Sequence, residues 1–276
     1  MNKIVSVEWL HLNLNHTNLI VLDASLKTTA NGSVSKFSLK TIPGARFFDL
    51  KNTFSDSSSP FPNTIPNVTH FEIECQKLGI CQNSKIVVFD STGIYSSPRV
   101  WWLFTLMGYQ DISVLDGGLP EWINRGFSTE TRAYKLYKLG NFKATFQTKH
   151  IKSYQDVLDN LHTKTFIIMD ARSEGRFKGR TEEPRKHLKS GHIPNSINIP
   201  YNEVLTNGKF KTESELKTLF TKKNVQKKTL VFSCGSGLTA CIVMLANALV
   251  FNKNKIIYDG SWTEWAELQN LKIDVF

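Results

Sequence analysis

The sequence contains few cysteines and no long apolar run. Its four cysteines in 276 residues are too sparse for a disulfide scaffold. They show neither a C-x-x-C pair nor the histidine spacing of a zinc site, so we expect no metal and no cofactor. No segment approaches the roughly eighteen consecutive apolar residues of a membrane-spanning helix. We therefore expect no membrane span and no membrane partner.

The N-terminus, MNKIVSVEWLHLNLNHTNLIVLDAS, lacks the features of a secretion signal or a transit peptide. We therefore expect a cytoplasmic protein. The formal charge is +10, from 34 Lys+Arg against 24 Asp+Glu, but the basic residues are dispersed. This pattern favours attraction of small anions over nucleic-acid binding.

The chain repeats itself. Four motifs of the first half recur in the same order in the second half: LIVLDAS (19–25) with FIIMDAR (166–172), TIPGARFFDL (41–50) with HIPNSINIPY (192–201), KIVVFDSTG (85–93) with TLVFSCGSG (229–237), and SVLDGGLPEW (113–122) with IIYDGSWTEW (256–265). The repeat predicts two copies of one domain, over residues 1–130 and 152–276, joined by a linker over 131–151.

Each copy alternates short β-branched runs with longer helical segments. Strands are predicted at 86–89 and 230–232, and helices at 97–110 and 238–250. This alternation indicates an α/β fold in which a mainly parallel sheet is flanked by helices. Ligands of such sheets bind beyond the carboxyl ends of the strands, where Cys234 stands.

The segment CGSGLT, which follows the strand at 230–232, has the composition of a tight anion-binding loop. Gly235 and Gly237 permit positive φ, and backbone N–H groups at a helix start can stabilise a thiolate at Cys234. The first copy has DSTGIYSSPR at this place, without a cysteine. A merely buried cysteine is the alternative, but the difference between the copies favours a catalytic domain beside a helper domain.

These motifs together resemble the tandem rhodanese-domain sulfurtransferases over nearly the whole chain. Within that family, thiosulfate sulfurtransferases typically carry the loop Cys-Arg-Lys-Gly-Val-Thr, and 3-mercaptopyruvate sulfurtransferases carry Cys-Gly-Ser-Gly-Val-Thr. The loop here, Cys-Gly-Ser-Gly-Leu-Thr, is similar to the second. The resemblance implies two tandem rhodanese-like domains, of which the N-terminal one is non-catalytic and the C-terminal one catalytic.

The resemblance also implies an enzyme that transfers sulfane sulfur. Cys234 would take sulfur from 3-mercaptopyruvate as a persulfide, release pyruvate, and pass the sulfur to a thiol acceptor such as a thioredoxin-like protein or a small thiol. Arg176 and Arg185 match the family's substrate clamp; the alternative is surface ion pairing with Glu182 or Glu183. Ser236 matches a serine assigned to a proton relay, so Cys234 and Ser236 are the predicted catalytic residues.

The remaining substrate-binding residues are expected to come from the loop. Its backbone would bind the small anionic sulfur donor, and the Thr239 hydroxyl would brace the turn. The loop residues concerned are Gly235, Gly237, Leu238 and Thr239. One position departs from the family: the histidine before Ile-Pro-Gly in the first domain, proposed as a relay partner, is Thr41 here.

Three other functions compete with this prediction. A cysteine phosphatase needs C-x5-R, and the residue at the arginine position is Ala240, which argues against phosphate chemistry. A thiosulfate sulfurtransferase is the closer alternative, although its small dianionic substrate favours cations within the loop. An inactive rhodanese-like binding or sulfur-carrier module is the third, and the intact Cys234, Arg176 and Arg185 argue against it.

Overall fold

The computed structural model describes all residues except 30, 31, 38, 226, 227, 254 and 269–276. The chain forms two compact units. The first comprises Met1–Ser58, Ile65–Gln147 and Asn207–Phe210, and the second comprises Ser59–Thr64, Thr148–Thr206 and Lys211–Phe276. Each unit therefore contains one short segment from the other half of the sequence. The linear boundaries proposed from the repeat stay a prediction, and the last eight residues of the predicted second domain lie outside the described residues.

The first half of the chain alternates strands and helices from its start. The elements are β1 (Ile4–Val5), α1 (Val7–Asn13), β2 (Leu19–Asp23), β3 (Lys40–Thr41), β4 (Arg46–Phe47), α2 (Val68–Lys77), β5 (Lys85–Phe89), α3 (Ser97–Leu106), β6 (Ile112–Leu115), α4 (Gly118–Asn124) and β7 (Glu130–Thr131).

The second half repeats the pattern, with two added 3₁₀ helices at Thr148–His150 and Tyr201–Val204. Its other elements are β8 (Ile151–Lys152), α5 (Tyr154–Thr163), β9 (Phe166–Asp170), α6 (Glu174–Phe177), β10 (Ile197–Asn198), β11 (Leu205–Thr206), β12 (Lys209–Phe210), α7 (Glu213–Lys222), β13 (Thr229–Ser233), α8 (Thr239–Phe251), β14 (Ile256–Tyr258) and α9 (Ser261–Glu267).

Each unit is built on a five-stranded parallel sheet. The strand orders are β1-β6-β5-β2-β4 in the first unit and β10-β9-β13-β14-β8 in the second. The registers also repeat, since Phe89 of β5 pairs with Asp23 of β2, and Ser233 of β13 pairs with Asp170 of β9. The predicted α/β fold with parallel sheets is therefore confirmed.

The buried faces of these elements explain why the sequence adopts them. In β13 all residues after Thr229 are buried, and helix α8 is apolar on nearly every side. A strand or helix that is apolar on all sides is stable only inside a protein, so β13 lies at the centre of its sheet with α8 packed beside it.

Helix α5 begins at a capping box formed by Ser153 and Asp156, which satisfies its first backbone N–H groups. Among the described residues, no helix is long and apolar enough to cross a membrane.

Candidate active site

Cys234 follows the central strand of the second unit. It comes directly after Ser233, the last residue of β13, and is 2% exposed. Helix α8 begins five residues later, at Thr239. The thiol thus lies at the carboxyl end of a parallel strand, the edge at which such sheets bind ligands.

The loop between β13 and α8 contains backbone N–H groups that can donate hydrogen bonds to a ligand. Gly237 has φ +78°, a conformation that a residue with a side chain adopts only with strain. Within the described part of the chain, the N–H groups of Gly235, Ser236, Leu238 and Thr239 have no hydrogen-bond acceptor. A tight turn with several unpaired N–H groups at a helix start is suited to binding an anion.

Helix α9 holds this loop from one side. The N–H of Trp262 donates to the carbonyl of Cys234 (2.9 Å), and the N–H of Thr263 donates to the carbonyl of Gly235 (3.1 Å). The Cys234 N–H donates to the Ser261 hydroxyl (3.3 Å). In a trans peptide the C=O and the following N–H point in opposite directions. The N–H groups of Gly235 and Ser236 therefore point away from α9.

Ser261 is itself held in an uncommon backbone conformation. It is buried with φ +52°, and its hydroxyl donates to the Tyr258 carbonyl (2.9 Å). A non-glycine residue in the left-handed region costs roughly 1 kcal/mol. The strained turn lies immediately before the donors that hold the Cys234 loop.

The equivalent loop of the first unit is folded around the carboxylate of its own residue Asp90. Asp90 follows Phe89 in β5 as Cys234 follows Ser233 in β13. Its carboxylate accepts the N–H groups of Tyr95, Ser96 and Ser97 (2.9, 3.0 and 3.0 Å) and the Ser97 hydroxyl (2.7 Å). The same strand–loop–helix turn thus wraps a carboxylate in one unit and carries a thiol in the other.

Two arginines of the second unit are engaged with carboxylates. Arg172 is fully buried and pairs with Asp170 (2.6 Å) and Glu183 (2.9 Å). Burial alone would lower the pKa of Arg172, but these two carboxylates raise it on balance. Arg176 pairs with Glu183 through both Nε (3.0 Å) and Nη2 (2.5 Å). Arg176 therefore forms the alternative ion pair with Glu183, through the Nε–Nη2 edge of its guanidinium.

Arg176 nevertheless lies against the Cys234 loop. A Cβ built on Gly235 would come within 3.0 Å of Arg176 Nη2. In the described residues Arg176 Nη1 has no protein partner, so two of its N–H groups stay available beside the loop. The side chain is 20% exposed, which leaves it accessible to a small molecule.

Arg185 has a different environment, because its partner is neutral. Its Nη1 donates to the Thr263 hydroxyl (3.0 Å), which in turn donates to the Gly235 carbonyl (2.6 Å). Among the residues that the structure describes, no carboxylate pairs with Arg185. Asp170 and Glu183 are thus paired with Arg172 and Arg176, whereas Arg185 has no carboxylate partner in the described residues.

Two details of the expected site can be compared with the structure. The Thr239 hydroxyl has no hydrogen-bond partner in the described chain, and its role in bracing the turn stays a prediction; Thr263 and Ser261 are the side chains that bond to the loop. Thr41, at the family's histidine position, lies in the first unit and donates to Asp23 (2.9 Å). The residue that contacts Ser236 is Asn63, whose Nδ2 lies 2.9 Å from the Ser236 hydroxyl.

Three residues of this loop environment were not predicted from the sequence: Asn63, Thr263 and Ser261. One signal could have found Thr263: in the repeated motif its counterpart is Pro120, which has neither an N–H nor a hydroxyl. The hydrogen bond of the preceding residue occurs in both copies. The Leu119 N–H donates to the Asp90 carbonyl, and the Trp262 N–H donates to the Cys234 carbonyl. No local pattern marks Asn63, because its contact joins residues far apart in the chain.

The neighbouring groups distinguish Cys234 from another buried cysteine. Cys75 is buried in the first unit, and burial raises the pKa of its thiol well above the usual value, with Glu74 and Glu72 adding to the effect. A thiol in such surroundings is unreactive. Cys234 is also buried, but it has unpaired N–H groups and arginines as neighbours. All four cysteines are free thiols.

The family of the chain follows from its matches to known proteins. The model of the rhodanese-like domain matches twice, over residues 6–125 and 153–268. The chain belongs to the rhodanese family. Its two matches coincide with the two copies of the internal repeat.

The similar proteins are sulfurtransferases of two kinds. A 3-mercaptopyruvate sulfurtransferase of Mus musculus is 41% identical over 90% of this chain and 84% of its own length. A thiosulfate sulfurtransferase of Rattus norvegicus is 35% identical, with 95% and 91% covered. The crystal structure of SseA from Escherichia coli, described as a 3-mercaptopyruvate sulfotransferase with the rhodanese fold, superposes with TM-score 0.83 at 32% identity, over 95% of this chain and 99% of that one.

Proposed function

We propose that this rhodanese-family enzyme transfers sulfur from 3-mercaptopyruvate through a persulfide on Cys234. The observation that carries the proposal is Arg185, a cation without a carboxylate partner that is hydrogen-bonded through Thr263 to the Cys234 loop. A guanidinium that has no carboxylate partner and is linked to the loop of a cysteine suits a substrate that carries both a carboxylate and a sulfur atom. The relatives support the same activity.

The proposed reaction has two half-reactions. The Cys234 thiolate attacks the sulfur of 3-mercaptopyruvate, so an S–S bond forms and the C–S bond breaks. The electron pair of the C–S bond passes to carbon and gives the enolate of pyruvate, which takes up the proton that the substrate thiol carried. A thiol acceptor then attacks the outer sulfur of the persulfide and restores the Cys234 thiolate.

Each predicted site residue has a role in this scheme. Arg185 and the unpaired edge of Arg176 bind the α-keto carboxylate. Ser236 donates a hydrogen bond during proton movement. The persulfide anion is stabilised by backbone N–H groups, the kind of preorganised donors that lower barriers where charge develops. We assign these donors to Gly235, Leu238 and Thr239, whose N–H groups have no acceptor in the described chain, whereas Gly237 contributes the left-handed turn of the loop backbone.

Thiosulfate is the alternative sulfur donor, and the 35% identity to a thiosulfate sulfurtransferase supports considering it. That dianion has no carboxylate and favours cations within the loop, where this chain has Gly235 and Ser236. We therefore propose thiosulfate as the poorer substrate. A purely binding role is disfavoured because the similar proteins are enzymes.

We propose a thioredoxin-like protein or a small thiol as the acceptor, and the cytoplasm as the compartment. Four free thiols fit a reducing environment, in which both kinds of acceptor are kept reduced. Fluorescence imaging of a tagged chain tests the compartment, and organellar signal alone would exclude the cytoplasm.

The experiment that tests the function compares the two donors. Pyruvate release from 3-mercaptopyruvate and sulfite release from thiosulfate are measured with the same acceptor thiol. We expect a higher kcat/KM for 3-mercaptopyruvate. A higher value for thiosulfate would assign the alternative activity, and no turnover of either donor would contradict both.

A further inference from the structure

Ser236 has a side-chain partner that comes from a distant part of the sequence. Asn63 lies in Ser59–Thr64, the short segment that belongs to the second unit. Its Nδ2 lies 2.9 Å from the Ser236 hydroxyl oxygen and 3.2 Å from the Ser236 carbonyl oxygen. One amide group thus contacts both polar oxygens of the residue two positions after Cys234.

The short segment is shaped to present this amide. Asn63 has φ +60°, in the left-handed region that asparagine tolerates better than most residues. The turn is closed by the Thr64 hydroxyl, which donates to the Phe61 carbonyl (2.8 Å) and lies 2.8 Å from the Ser59 hydroxyl. The Phe61 N–H donates to Ser59 Oγ (3.1 Å). These bonds fix the turn independently of Ser236.

The two contacts determine which way the amide faces. A carbonyl oxygen can only accept, so the Asn63 atom beside the Ser236 carbonyl must be the NH₂ group. The same NH₂ group then donates to the Ser236 hydroxyl oxygen. The Ser236 O–H proton is therefore not directed at Asn63, and within the described residues it has no acceptor.

We infer that Asn63 is a positioning residue that fixes Ser236 as a hydrogen-bond donor toward the reacting sulfur or its substrate. An amide takes up no proton at working pH, so Ser236 is not deprotonated by this partner. Ser236 acts with its proton in place, and Asn63 sets the direction of that proton. This role rests on the proposed function, because it concerns the same loop and the same first half-reaction.

The test is a double-mutant cycle on persulfide formation. Asn63→Gly keeps the left-handed turn without strain and removes only the amide. With 3-mercaptopyruvate in a single turnover, we expect Asn63→Gly to slow loading of Cys234 about five- to tenfold, the effect of roughly one lost hydrogen bond. In a Ser236→Ala background the same change should have little further effect. An equal slowing in both backgrounds would overturn the inference.

A second variant gives a pH signature that a merely structural role would not produce. In Asn63→Asp, the carboxylate repels the Ser236 carbonyl and accepts the Ser236 proton, whereas the protonated acid can donate as the amide does. The ratio of the loading rate of Asn63→Asp to that of the wild type should therefore rise as the pH falls through the carboxyl titration. A ratio independent of pH would contradict the role of Asn63. Absence of loading in the wild type would instead overturn the proposed function together with this role.

Discussion

Thr263 is hydrogen-bonded to Gly235 twice, through its backbone N–H at 3.1 Å and through its hydroxyl at 2.6 Å. The same hydroxyl accepts a hydrogen bond from Arg185 at 3.0 Å. One side chain thus couples a cation to the loop that follows Cys234. In the other copy of the repeat the matching residue is Pro120, which can form none of these bonds. The coupling is specific to the unit that carries the thiol.

Replacing Thr263 with valine should therefore weaken binding of 3-mercaptopyruvate. Valine has nearly the same shape but lacks the hydroxyl, so Arg185 loses its anchor. Steady-state kinetics should show a KM raised about fivefold, the effect of one hydrogen bond of about 1 kcal/mol. Thr263→Ser keeps the hydroxyl and serves as the matched control. An unchanged KM in Thr263→Val would show that this hydroxyl does not position the arginine.

Replacing Arg185 with glutamine should separate the two sulfur donors. We expect kcat/KM for 3-mercaptopyruvate to fall about 30-fold, because a charge-assisted hydrogen bond is worth about 1.5–3 kcal/mol. The value for thiosulfate, which has no carboxylate, should change by less than about threefold. Arg180→Gln is the control, since Arg180 is exposed. Equal losses for both donors would remove Arg185 from the carboxylate clamp.

Replacing Asp90 with alanine should destabilise the first unit. The change leaves the N–H groups of Tyr95, Ser96 and Ser97 buried without their acceptor. We expect the free energy of unfolding in urea to fall by about 3 kcal/mol. Ser97→Ala removes only one hydroxyl bond and should cost about 1 kcal/mol. Similar stabilities for Asp90→Ala and the wild type would contradict the view that this loop depends on an internal anion.

Acidification should destabilise the second unit through His150. Burial, together with Lys149 and Lys255, lowers the pKa of His150 from 6.5 to about 4. The unfolded chain then binds a proton more readily than the folded one, so stability is lost as the pH falls from about 6.5 toward 4. This side chain is only partly buried, and screening by solvent limits the loss to about 1 kcal/mol.

Urea unfolding of wild type and His150→Gln between pH 7 and pH 4.5 measures this contribution as a difference. The variant should lose less stability than the wild type over this range. His162→Gln, a change at an exposed histidine of helix α5, is the control and should follow the wild type. Identical curves for His150→Gln and the wild type would show that burial of His150 does not affect stability.

The fold was predictable because its signals are local and occur twice. Strands expected at 86–89 and 230–232 are found at Lys85–Phe89 and Thr229–Ser233. The helix expected at 238–250 spans Thr239–Phe251. Each signal is a run of buried residues with the period of its element, so no distant contact is needed to recognise it.

Residue patterns alone could predict only the contiguous part of the candidate site, and Arg176 and Arg185 were predicted from the family resemblance. The Cys234 loop could be read from one segment, and comparison of the two copies singled out its thiol. The pairing of Arg176 with Glu183, the coupling by Thr263 and the contact of Asn63 all depend on which side chains the folded chain brings together. Asn63 lies 173 residues from Ser236, a separation at which sequence pattern carries no information on contact.

Cys234 is the residue proposed to carry the transferred sulfur. The most direct measurement is the intact mass of the protein, with peptide mapping, after brief exposure to 3-mercaptopyruvate without an acceptor thiol. We predict a gain of one sulfur atom on the peptide that contains Cys234, an equal amount of released pyruvate, and no gain in Cys234→Ser. No added mass in the wild type, or the same gain in Cys234→Ser, would show that Cys234 does not carry the sulfur.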